Sequence, residues 1–167
     1  MEAEKVTPIE SARRGVVVFL DRAMDSEIAH FLLGQVLKRV KEFSRQYDTD
    51  ADGGELARAV EKDFAADRQT FLICVFVKDG RVVGHLLAKE DLYYGRKFVY
   101  VHQHNLDRHA GISKEQELSA LKHVEGWAKA LGASGLRAAA PSEAHVRRLR
   151  DYGFNSFLTV VRKDFYV

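Results

Sequence analysis

The stretch Phe71-Leu72-Ile73-Cys74-Val75-Phe76-Val77-Lys78-Asp79-Gly80-Arg81-Val82-Val83-Gly84-His85-Leu86-Leu87-Ala88 decides the fold. Phe71 to Val77 is apolar throughout and rich in aromatic and β-branched residues. Such a run reads as a strand covered on both faces. Asp79-Gly80 then supplies a hairpin turn, because glycine tolerates the positive φ that a two-residue turn demands. Val82 to Ala88 returns as the partner strand. Phe98 to His104 follows as a third, so the three segments predict an antiparallel meander.

Downstream, Ser113 opens a long helix, and Gln116 three residues on completes a capping box. Leu118, Leu121, Val124, Trp127, Ala128 and Leu131 form its expected buried stripe. Gly132 suits the left-handed position just past the helix end. Leu136 to Ala140 reads as a short strand of small residues. Ser142 caps a last helix that Gly153 stops, and Phe157 to Val161 closes the sheet.

Upstream, residues 1–14 are polar and form a loose lead-in. Val16 to Leu20 is a compact β-branched strand. Asp25 or Ser26 caps a helix whose stripe is Ile28, Phe31, Leu32, Val36, Leu37, Val40 and Phe43. Tyr47 to Gly54 interrupts the pattern, and Leu56, Val60 and Phe64 mark a short second helix.

Composition sets the class. The chain has 167 residues, 46% hydrophobic and 30% charged, which fits one soluble domain spanning 1–167 with a sizeable core. A formal net charge of +2 gives no general reason to expect nucleic acid or a membrane surface as partner. Cys74 is the only cysteine, so no intrachain disulfide forms, and its apolar surroundings suit a packing thiol. No apolar run reaches the ~20 residues of a membrane span, and Met1-Glu2-Ala3-Glu4-Lys5 lacks a signal-peptide core. A cytoplasmic protein is expected.

The order of elements, together with Glu125-Gly126-Trp127-Ala128-Lys129-Ala130-Leu131-Gly132-Ala133, Pro141-Ser142-Glu143-Ala144 and Tyr152-Gly153-Phe154, resembles the GCN5-related N-acetyltransferase (GNAT) family. The likeness covers the C-terminal three-fifths most clearly. It also resembles degenerate GNAT-like proteins of tailed phages. The resemblance implies an α/β fold with a mixed, mostly antiparallel sheet and helices on both faces. It further implies acetyl transfer from acetyl-CoA to an amine, carried by a small molecule or a protein, with a homodimer left open.

The family's Arg/Gln-x-x-Gly-x-Gly/Ala signature is absent. Ile112 stands at its first position, and Glu115 and Glu117 stand where the glycines belong. Two carboxylates there would repel a diphosphate. An alternative collar at the helix start comprises Arg108, His109, Gly111, Ser113 and Lys114, with unpaired N–H groups of the helix behind it. The position where many family members carry a thiolate-protonating tyrosine is Leu149, and Tyr152, three residues on, is expected to face elsewhere. Ser142 replaces a common asparagine. These departures imply a second class of function, a catalytically silent module that binds a protein or small ligand.

Strand alternation places Tyr100, His102 and His104 on one face, with His85 and His109 near. The pair reads either as strand histidines on a polar sheet face or as a source of the base, His102 or His104, that takes the amine's proton, since histidine titrates near neutral pH. The family often places its base on this strand. A metal would need a third ligand that nothing identifies, so none is expected. Asp48-Thr49-Asp50-Ala51-Asp52-Gly53 matches the first half of a calcium loop, but Ala59 stands where the bidentate glutamate belongs. Arg147, Arg148 and Arg150, with Arg137 near, form a cationic cluster, read chiefly as a solvated helix face.

Overall fold

The computed structural model describes residues 15–20, 24–47, 54–66 and 70–155. The lead-in, the calcium-like loop at 48–53 and the final strand lie outside them. Within them the chain runs β1 (Val16–Phe19), α1 (Ser26–Tyr47), α2 (Gly54–Ala65), β2 (Phe71–Lys78), β3 (Arg81–Tyr93), β4 (Arg96–Leu106), α3 (Lys114–Ala130), β5 (Leu136–Ala138) and α4 (Glu143–Asp151). The strands form one sheet in the order β1-β2-β3-β4-β5, antiparallel except for the β4–β5 pair.

The meander forms where the sequence places it, with β3 and β4 longer than expected. Asp79 (φ 50°) and Gly80 (φ 72°) are both left-handed, which matches the twist a tight hairpin needs. The same device recurs at Tyr94 and Gly95, between β3 and β4.

Helices cover both faces. Leu33, Val36 and Val40 of α1, with Ala57 and Val60 of α2, pack on Ile73, Val75, Val77 and Leu87. On the other face, Ala120, Leu121, Val124 and Ala128 of α3 pack on Cys74, Phe76, Leu86, Val99 and Val101. Cys74 is fully buried, and burial pushes its thiol far above the ordinary range, so it is an inert packing group. Asp63 of α2 accepts from the amides of Thr70 and Phe71 and from the Thr70 hydroxyl, which fixes the entry to β2.

The buried stripe of α3 differs from the expected one. Its fully covered positions are Glu117, Ala120, Leu121, Val124 and Ala128. Leu118 and Trp127 are half-buried at its flanks. The helix is rotated so that small alanines meet the sheet and a carboxylate enters the interior. Both expected caps are present. Ser113 Oγ accepts from Gln116 N at 3.1 Å while Gln116 Oε1 accepts from Ser113 N at 2.9 Å. Ser142 Oγ accepts from His145 N at the start of α4.

Among the described residues no helix is long and apolar enough to cross a membrane.

Candidate active site

β4 carries the centre of the site. Leu87 of β3 pairs with Gln103, yet the next residue, Ala88, pairs with Val101, so His102 is an extra residue in β4. Such a bulge reverses the alternation beyond it. Val99 and Val101 face α3, and beyond the bulge His104 takes that face while Gln103 turns to α1. The expectation that His102 and His104 share a face is therefore corrected. His102 stays with Tyr100 (ring centroids 4.7 Å) and Phe71 (6.1 Å) on the α1 side. His104 lies against Phe76 and Tyr152 on the other.

The parallel pairing of β5 with β4 ends at Ala138 opposite Val101. Beyond that point the strands fork, and the bulge sits at the throat of the fork. A cavity of about 10 Å³ lies there, lined by His102, Gln103, His104, His145, Arg148 and Leu149 among others. That is room for one water. His102, Gln103, Ala138 and Leu149 also line a cleft of about 1160 Å³ that extends from Tyr47 and Tyr100 to Tyr152.

On the α3 side, Glu117 gathers three partners from other elements. Its carboxylate accepts from Arg148 of α4 and from the Tyr152 hydroxyl at the end of α4. His104 Nε2 lies 2.9 Å from Glu117 Oε1. That nitrogen is buried and the approach is off the N–H line, so it counts as an ion-pair contact rather than an aligned hydrogen bond. Burial alone would raise the Glu117 pKa. The close contact of His104 and the bond from Tyr152, with the charges of His104 and Arg148, outweigh it and hold the group at about 2. Burial, then the Glu117 carboxylate, pushes the Tyr152 phenol well above its usual range.

The expected crowding of a phosphate site by Glu117 is thus corrected. Its side chain points inward and its charge is met, while Glu115 is exposed. Tyr152 is corrected too, since it joins the cluster instead of facing away. Periodicity could have flagged Glu117, which lies four residues before Leu121 and seven before Val124. Nothing local flags Arg148 or Tyr152, whose roles depend on where α4 docks.

On the α1 side, Gln103 Nε2 donates to Ser44 Oγ (3.0 Å) and to Val40 O (3.3 Å). Its Oε1 then accepts from His85 Nε2 at 2.7 Å. This fixes the His85 tautomer with Nδ1 unprotonated, and that buried atom has no partner. His85 therefore belongs to a structural network, on the face opposite His104.

The expected collar is spread out. Arg108 and His109 are exposed, the latter at φ 58°. Gly111 has φ 71° and lies beside the Lys78 side chain. Ile112 packs against the α3-side core and so is a packing residue. Ser113 is occupied as the cap, and Lys114 lies 3.7 Å from Asp151. Gln116 also donates to Gly15 O, 2.5 Å away, which ties β1 to the helix start. The arginine cluster divides: Arg147 reaches Glu143 at 4.0 Å, Arg148 turns inward, and Arg137 stacks on Tyr93 at 3.7 Å. Among the described residues no group of three or more histidines, cysteines or carboxylates could hold a metal.

No family model and no curated protein matches the chain. Solved structures do. Glucosamine-6-phosphate N-acetyltransferase from Arabidopsis thaliana is 12% identical with a TM-score of 0.61, covering 91% of this chain and 99% of that one. An aminoglycoside acetyltransferase from an uncultured soil metagenomic sample is 12% identical with a TM-score of 0.61, covering 92% and 97%. A protein from Clostridium acetobutylicum, described as a predicted acetyltransferase and solved with acetyl-CoA, is 12% identical with a TM-score of 0.64, covering 90% and 96%. With five described strands in a mostly antiparallel sheet between helices, this chain has the fold of the GNAT-type acetyltransferases.

Proposed function

We propose that this chain transfers an acetyl group from acetyl-CoA to the nitrogen of an amine. The observation that carries the reading is the forked β4–β5 edge with a bulge at its throat, which sets one histidine on each face of β4.

The residues suit such a donor in kind. β4 beyond Val101 has no β5 partner, so its backbone groups face the fork. Arg108 and Lys114 near the start of α3 offer positive charge to an anionic group. The fork residues His102, Gln103, Ala138 and Leu149 also line the cleft of about 1160 Å³, where a thioester arm would lie. When bound, acetyl-CoA supplies an activated acyl thioester.

The protein's part is to manage protons and exclude water. His102, which lines the large cleft, would accept the proton that the amine loses as its nitrogen bonds the acetyl carbon, the thioester C–S bond breaking and the released thiolate taking a proton from solvent. His104 Nε2 lies 2.9 Å from Glu117 on the opposite face. Glu117 orients that imidazole, and Tyr152 and Arg148 fix Glu117. The departures at Ile112, Glu115 and Leu149 mark a divergent version of this chemistry.

The test is an acceptor screen with radiolabelled acetyl-CoA and small amines and peptides. Turnover that falls about a hundredfold in His102→Gln supports the reading. No turnover with any amine, together with no acetyl-CoA binding by calorimetry, would discard it and leave a silent binding module.

A further inference from the structure

We propose that His145 of α4 shares one water with His102 at the throat of the fork, and that through it His145 carries to solvent the proton that His102 takes from the acceptor amine. The source of the proton rests on the acyl-transfer reading, and the path rests on the geometry alone.

The two histidines meet at the cavity of about 10 Å³. Its room suits one water, and its walls are polar enough to hold one. His102 lines both this cavity and the large cleft, so it stands between them. Two other polar walls are already engaged. Gln103 spends both amide hydrogens on Ser44 Oγ and Val40 O, and Arg148 is turned to Glu117. His104 faces the same carboxylate, so a proton passed to it stays inside the protein. His145 leads outward instead. Its Nδ1 lies 2.7 Å from Ser142 Oγ, the cap of α4, beside exposed Pro141 and Glu143. Among the described residues its Nε2 has no hydrogen-bond partner.

The ring is also held in place. Phe43 and Tyr47 of α1 meet it edge to face, with centroids 6.0 and 5.4 Å away. A fixed imidazole with one nitrogen bound and the other left for a water has the form of a proton relay. The titratable and charged groups that face it are Tyr47 from α1, His102 and His104 from β4 and Arg148 from α4, with Glu117 of α3 behind Arg148. Burial, then the charges of Arg148 and His104, lowers its pKa below the usual histidine value. At neutral pH the ring is therefore uncharged and ready to accept. The steps balance on one proton. The amine nitrogen gives it to His102. His102 passes it to the water as the water gives its own to His145, and His145 releases it at the exposed start of α4.

The experiment uses the full chain, wild type, His145→Phe and His145→Gln. Phenylalanine keeps the packing on Phe43 and Tyr47, and glutamine keeps a hydrogen bond to Ser142, yet neither relays a proton. Imidazole nitrogens are followed against pH by NMR. Two histidines across one water repel when both are charged, so the His102 titration should move about half a pH unit higher in both variants. An unchanged His102 titration would overturn the proposal. Turnover is then measured with acetyl-CoA and the amines of the acceptor screen. In weak buffer kcat should fall about tenfold in both variants with KM unchanged, and added imidazole should restore it. An unchanged kcat, a loss in only one variant, or a loss that imidazole leaves in place would overturn the relay with acyl transfer intact. A shifted His102 titration with no turnover on any amine would support the shared water and overturn the acyl-transfer reading.

Discussion

Two buried histidines lie on opposite faces of the sheet, and they are accommodated by opposite chemistry. His85 is fully buried and hydrogen-bonds a neutral amide, Gln103, which is held in turn by Ser44 and Val40 of α1. His104 is 8% exposed and faces a carboxylate, Glu117, shared with Arg148 and Tyr152. The neutral network joins a strand pair to a helix already packed in the core. The charged one joins the sheet to α4, none of whose residues is fully buried. A buried charge needs several partners at once. The charged cluster therefore spans three elements and is sensitive to the position of each.

If that contrast separates structure from function, the largest effect is on rate. His102→Gln and His104→Gln should each lower acetyl transfer by about a hundredfold. His85→Gln should leave the rate of the folded protein within about threefold, because its network only packs. Steady-state kinetics on the three variants checks this, and equal losses in all three would remove the division.

Stability should rank the clusters next. Glu117→Ala strands the Arg148 and Tyr152 donors and should cost about 2–3 kcal/mol in urea unfolding. Gln103→Leu removes the partner of His85 Nε2 and of Ser44 Oγ and should cost about 2 kcal/mol. A smaller loss at Glu117 than at Gln103 would show that the charged cluster contributes function without stability.

Acid titration should resolve the clusters into separate windows. Burial, opposed by the Gln103 bond and reinforced by the charges of Arg39 and His104, lowers His85 from 6.5 to about 4. The unfolded chain takes that proton first, so stability falls as pH drops from about 6.5 to about 4. Glu117 is depressed from 4.5 to about 2, so its contribution is complete above 4.5 and is lost between 4.5 and 2. The unfolding free energy measured against pH should flatten in the upper window in His85→Phe and in the lower window in Glu117→Gln.

The smallest effect is expected at the outer contact between α3 and α4. Lys114 and Asp151 are 67% and 64% exposed, so Lys114→Ala should change stability by less than about 0.5 kcal/mol. A larger loss, measured in the same urea titration, would mean that α4 is held from outside as well as by Glu117.

The sequence by itself determined the meander, the two-residue turn at Asp79-Gly80, both serine caps and the amphipathic helices. Each depends on residues close together in the chain, where propensity and periodicity act directly. It also pointed to β4 as the strand that carries histidines. Only the tertiary structure decided which way those histidines face. A single bulged residue reverses every side chain beyond it, and alternation in the sequence gives no sign of the extra residue. Glu117 read as a surface carboxylate near a phosphate site because a charge in an apolar stripe is ordinarily solvated. It becomes an interior group only because Arg148 and Tyr152 arrive from α4, more than thirty residues later. Their positions are set by how α4 docks across the fork, a long-range arrangement that local sequence does not encode.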